Sequence, residues 1–138
     1  MDYFVLPDSC ALPCAEIQAE HELLVGIINR GRDALRLAPN PDPQLFHALL
    51  QELLAASVAH FAHEEAIMEK SGYPDLASHR AHHANCVRRL EQTGDMLLTG
   101  EIEPGRFFLD ELFDLVLDDI IRADGGFKAF IGTSGGAR

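Results

Sequence analysis

The segment His60-Phe61-Ala62-His63-Glu64-Glu65 sets an imidazole and a carboxylate four residues apart in a stretch with helical periodicity. Residues four apart share one helical face, so His60 and Glu64 can address the same point. Nineteen residues after His60 a second pair at the same spacing, His79 and His83, lies within the run SHRAHHANC. Imidazole nitrogens and carboxylate oxygens ligate transition metals. Two such faces turned inward bring three imidazoles and one carboxylate together, which is how a metal centre is built between the helices of a bundle.

The elements that must position these groups follow from the apolar spacing. From Ala15 to about Leu37, the residues Ile17, Leu24, Ile27, Ile28 and Leu35 recur at helical intervals, with Pro13 marking the helix start and His21 on the same stripe. The proline-rich segment 38–44 (APNPDPQ) cannot continue a helix. A second stripe, Leu45, Leu49, Leu53, Val58, Phe61, Ile67 and Met68, predicts a helix to about Lys70 that turns His60 and Glu64 toward the core. SGYPD (71–75) reads as a turn, with Gly72 stopping that helix and Pro74 near the next start. A third helix, from about Leu76 to Leu98, carries His79, His83, Cys86, Val87 and Leu90 inward, and TGEIEPG (99–105) ends it. A fourth, from about Arg106 to Ala123, places Phe108, Leu112, Leu115, Val116 and Asp119 on its apolar face, with Asp124 at its end.

Four long helices with short connections predict an all-α, antiparallel up-down-up-down four-helix bundle in a single domain spanning 1–138. Residues 1–14 form an extended N-terminal arm, 15–124 the bundle and 125–138 a C-terminal tail with two phenylalanines to cap it. With 138 residues, 47% of them hydrophobic, the chain is large enough to bury a core unaided, so a metal would serve function more than folding. A formal charge of −11 argues against nucleic acid and anionic lipid as partners. No segment approaches the ~20 apolar residues that span a bilayer, and the opening MDYFVLPDSCALPC lacks the features of a secretion signal, so the expectation is no membrane and a cytoplasmic location.

The remaining polar groups have humbler expected roles. His63 and His82 each precede a candidate ligand by one residue and point off its axis, as surface or supporting groups, while Glu65 is placed to accept a hydrogen bond that orients a ligand ring. His47 is expected at the surface. Cys86 reads as a small buried hydrophobe, with a redox or ligand role as the alternative. Cys10 and Cys14 could pair or hold a peripheral metal, but the odd total of 3 cysteines speaks against a structural disulfide framework.

Taken together, AEHELL around His21, HFAHEEAIM from His60 to Met68, the SGYPD turn, HRAHH from His79 to His83 and DIIRAD from Asp119 to Asp124 resemble the hemerythrin family, specifically its bacterial hemerythrin-like domains, over nearly the whole chain. The resemblance implies a bundle enclosing two non-haem iron ions in an oxo- or hydroxo-bridged di-iron centre that binds dioxygen. It implies His21 and His60 on one iron, which keeps the open position, His79 and His83 on the other, and Glu64 and Asp124 bridging the two. Where the family has a further histidine, five residues before the bridging aspartate, this chain has Asp119, with Asp118 the candidate in a shifted register.

A carboxylate at that position is a harder donor than imidazole and favours the ferric state. Dioxygen binding or sensing, tilted toward oxidation and away from reversible carriage, is therefore the expected function. The alternatives are a di-iron oxidase or peroxide-reducing enzyme, with dioxygen or peroxide as its small-molecule partner, and a storage or structural bundle. Manganese is also compatible with such a carboxylate-enriched site. A protein partner or electron donor would be needed for turnover, and the residues do not name one.

Overall fold

The computed structural model describes residues 15–37 and 41–121, with side chains described for all of these except 15, 107 and 119–121. The expected N-terminal arm with Cys10 and Cys14, the ligand candidate Asp124 and the tail 125–138 lie outside the described residues. Helices α1 (Ala15–Leu37), α2 (Pro43–Ser71), α3 (Leu76–Thr99) and α4 (Arg106–Asp114) follow in chain order, and α4 continues as a π-helical segment, Leu115–Ile121. There is no strand among the described residues.

Local chemistry fixes the ends of these helices. Asp42 caps α2, its Oδ1 accepting from the Gln44 backbone N–H at 2.9 Å, and Pro43 takes the first helical position, where its missing N–H costs nothing. The proline-rich break is therefore shorter than its composition suggests, because its last proline starts a helix. At the other end Gly72 adopts φ 71°, a left-handed conformation that an L side chain resists, and the Gly72 and Tyr73 N–H groups close on Glu69 and Met68. Gly100, at φ 81°, ends α3 in the same way.

Side-chain pairs show how the helices run. Glu20 of α1 meets His63 of α2, and further along Arg30 of α1 pairs with Glu52 of α2, so the two are antiparallel. Between α2 and α3, Glu65 meets His83, and at the other end the packing of His47 and Gln51 brings them against Gly94. A Cβ on Gly94 would lie 3.4 Å from the Gln51 amide, so the small residue lets α2 and α3 approach closely. The bundle closes where α4 lies against α1, with Leu109 packed over Gly31 and Phe108 set edge-on to Phe46 at a centroid distance of 6.0 Å.

The core divides along the bundle axis. A large apolar cluster is built from Leu24, Ile28, Phe46, Leu50, Leu53 and Leu90 with α4 residues such as Leu112, and a small one from Met68 and Tyr73. The buried face of α2 is Phe46, Leu50, Leu53, Ser57, His60, Phe61, Glu64 and Met68. Leu45 and Val58, expected inward, are about half exposed. Apolar residues ring the first half of α2 on nearly every side, so their spacing alone does not set its phase. By length and composition α2 resembles a bilayer-crossing helix, its most apolar 18-residue window having mean hydropathy 1.3, contrary to the expectation that no segment comes near. Core helices of globular bundles share this property, and here α2 packs against both α1 and α3.

The π-helical segment was not anticipated. Its i→i+5 hydrogen bonds widen the turn, bringing residues five apart closer to one face than in an α-helix, where they diverge by about 140°. Leu112 and Leu117, five apart, are both buried, and Asp119 sits on this segment five residues before Asp124. The core assignment predicts that Leu53→Ala lowers stability by about 2–5 kcal/mol. Val58→Ala, on the outer face, should change it by no more than about 0.5 kcal/mol, both by urea unfolding.

Candidate metal centre

Three helices deliver the site. His21 of α1, His60 and Glu64 of α2, and His79 and His83 of α3 lie between the large apolar cluster and the Met68/Tyr73 cap. His21 and Glu64 are 0% exposed, His60 1%, His83 3% and His79 9%. Their donor atoms form two groups, His21/His60/Glu64 and Glu64/His79/His83, with the ligating atoms in each within 4.8 Å of one another. Glu64 belongs to both.

Its two oxygens face different partners. Oε2 lies 3.5 Å from His60 Nε2, whereas Oε1 lies 3.2 Å from His83 Nε2 and 3.8 Å from His79 Nε2. His21 Nε2 and His60 Nε2 are 3.2 Å apart, near the separation of neighbouring ligands on one ion with metal–nitrogen bonds of about 2.1 Å. All four imidazoles thus present Nε2 toward the Glu64 carboxylate or toward each other.

The outer nitrogens explain this orientation. His60 Nδ1–H donates to Glu20 Oε1 at 2.8 Å, and His83 Nδ1–H donates to Glu65 Oε2 at 2.7 Å. A carboxylate on Nδ1 fixes the tautomer and leaves the Nε2 lone pair pointing inward, the usual support for a metal-bound histidine. Aromatic packing sets the ring planes. Phe61 stacks on His83 at 4.0 Å and 9°, and Tyr73 meets His79 edge-on at 5.9 Å.

This donor set fits a metal pair. Lone pairs and a carboxylate turned toward one another in a dry interior are mutually repulsive, and a buried charge is expensive without compensation. In the metal-free protein a proton can be shared across the 3.2 Å His21–His60 contact, and metal binding displaces it. Two cations, one in each group with Glu64 between them, satisfy every inward donor.

The described residues bring together His21, His60, Glu64, His79 and His83. Asp119 is on the π-helical segment, its side chain outside the described residues, as is all of Asp124. Asp118 is exposed and lines a surface cavity of about 480 Å³ with Arg89 and Thr93, away from the histidine cluster. His63 is partly exposed beside Glu20 and Glu16, and His82 lies 3.6 Å from the buried Cys86. His47 is half-buried against Gly94, not fully at the surface.

Glu20 escaped the sequence reading. It neighbours His21 as Glu65 neighbours Glu64, but its role depends on α1 meeting α2 in a register that spacing within one helix does not reveal. Burial pushes the Glu20 carboxyl up, but hydrogen bonds from His60 and His63, with their positive charge when protonated, outweigh it and hold the group below its ordinary 4.5. A lowered folded value means the contribution is complete above the unfolded value and lost as pH falls through the folded one. In the metal-free protein the stability advantage of wild type over Glu20→Gln should therefore be full at neutral pH and shrink as the pH falls below about 4.5. In the presence of metal, Glu20→Ala should weaken binding by about 10–100-fold, read by competition with a chelator.

Residues 13–130 match the family model described as the hemerythrin HHE cation binding domain. Bacteriohemerythrins of Pseudomonas aeruginosa are 27% identical to the chain over 101 residues, covering 73% of it and 64% of their own length. A bacteriohemerythrin of Pseudomonas paraeruginosa aligns with the same identity and coverage. The chain thus spans just under two thirds of the relatives it matches. With the family model covering most of the helical bundle and both histidine groups inside that match, the chain belongs to the hemerythrin family.

Proposed function

We propose that the two groups hold a pair of iron ions and that the protein binds or reacts with dioxygen, with oxidation favoured over reversible carriage. The observation that carries this is Glu64, one carboxylate with an oxygen turned to each histidine pair. A bound ferrous pair supplies two electrons within reach of a small oxidant. The rest is work for the chain. His21 and His60 hold one position, His79 and His83 the other, and Glu64 keeps the two at a fixed separation. By the family resemblance, Asp124 would supply a further carboxylate to hold the pair. Phe61 and the Met68/Tyr73 cap exclude bulk water from the imidazoles.

Asp119 supports the enzymatic version of this reading, a di-iron oxidase or peroxide-reducing activity. An anionic oxygen donor in place of a neutral imidazole favours the ferric state at the His79/His83 position.

Anaerobic loading with ferrous iron, followed by metal counting and optical spectra as air is admitted and removed, tests the proposal. Two irons per chain and an air-dependent band that reverses under vacuum would favour a carrier or sensor. Irreversible conversion to the ferric state with consumption of dioxygen is the expected result. Asp119→His should slow that oxidation, and Glu64→Ala should lose one or both irons. Full iron retention by Glu64→Ala would sink the two-metal assignment.

A further inference from the structure

The supporting carboxylates Glu20 and Glu65 are built alike and held differently. Each gives one oxygen to the Nδ1–H of an inward-facing histidine. Glu20 gives its other oxygen to His63 Nδ1 at 2.6 Å, a group on the same helix as the histidine it supports. Glu65 gives its other oxygen to the Arg80 Nε–H at 3.2 Å, and Arg80 also reaches Glu69 Oε2 at 3.3 Å. Arg80 is on α3, one turn before the ring that Glu65 orients, so the guanidinium, Glu65 and His83 form a closed link between α2 and α3.

We propose that Arg80 is a positioning residue of the metal centre, holding the Glu65 carboxylate in the orientation that fixes the His83 ring and supporting only the His79/His83 position. The proposal rests on the two groups being metal sites. Three features lead to it. Glu65 is partly solvent-exposed on a side chain with several free torsions, so without a second partner its carboxylate can rotate into water and release His83 Nδ1. Glu69 is one helical turn from Glu65, and two carboxylates at that spacing repel. Arg80 meets both and lets them remain side by side, with a planar fork suited to carboxylates. Among the described residues no guanidinium reaches Glu20, whose other oxygen is held by His63.

As a half-exposed ion pair, Arg80 should contribute little to the stability of the bundle, and this separates a positioning role from a structural one. Cobalt(II) is a suitable probe because it reports on each position through visible absorption and through shifted, exchangeable imidazole N–H resonances. The wild-type protein should bind two cobalt ions per chain. Arg80→Ala should keep one position at wild-type affinity and weaken the other about 3–10-fold, a fraction of the effect of removing a supporting carboxylate outright. One imidazole N–H signal should exchange faster with solvent while its counterpart from His60 stays unchanged. Arg80→Lys, which keeps the charge but not the planar fork, should restore only part of the loss, and Glu65→Gln should reproduce it in stronger form. Wild-type affinities and N–H exchange in Arg80→Ala would overturn the proposal, as would equal weakening at both positions. A wild-type protein that binds no cobalt would overturn the metal-centre reading itself, a result distinct from either.

Discussion

A fully buried carboxylate governs this structure. Glu64 lies among imidazole nitrogens at 3.2–3.8 Å. Such a group is tolerated when cations neutralise it, and its neighbours are arranged as donors to a cation. The tautomers of His60 and His83, the outward-reaching carboxylates Glu20 and Glu65 and the stacking of Phe61 all serve that arrangement. So does the placement of the site between two apolar clusters, since the interior must be dry for the fixed donors to be held rigidly.

The support around Glu64 shows how a helical bundle achieves this with few residues. A position adjacent to a ligand points away from the bundle axis, and so toward the neighbouring helix. Glu20, beside His21, reaches the ligand candidate of α2, and Glu65, beside Glu64, reaches that of α3. α1 and α2 each thereby carry a ligand candidate and the support for one on the next helix. Displacing one helix would disturb both functions together, which ties the geometry of the site to the packing of the bundle.

Much of this was legible in the sequence because the ligand candidates carry their own phase. His60 with Glu64 and His79 with His83 define helix faces unambiguously, and Gly72 marks the end of α2. The Leu-rich start of α2 was less legible. With leucines at 45, 49, 50, 53 and 54, periodicity permits more than one buried face, and packing against Phe108 and Leu90 selects the one containing Phe46 and Leu50. Glu20 and Arg80 were missed because they act between helices, where pairing depends on register that no single-helix pattern encodes. The π-helical segment was missed because its apolar residues fit an α-helical pattern as well as a wide one.

The bundle has two halves along its axis that answer to different forces. At one end Phe46, Leu50, Leu90, Leu97 and Phe108 are held by hydrocarbon packing alone, and at the other buried polar rings and carboxylates depend on what they bind. Protection of backbone amides against hydrogen exchange follows local stability. Loss of bound metal would therefore leave slow exchange in the leucine-rich half and speed it around His21, Glu64 and His83. On that account the fold would outlast the centre, one end serving as the template on which the other re-forms.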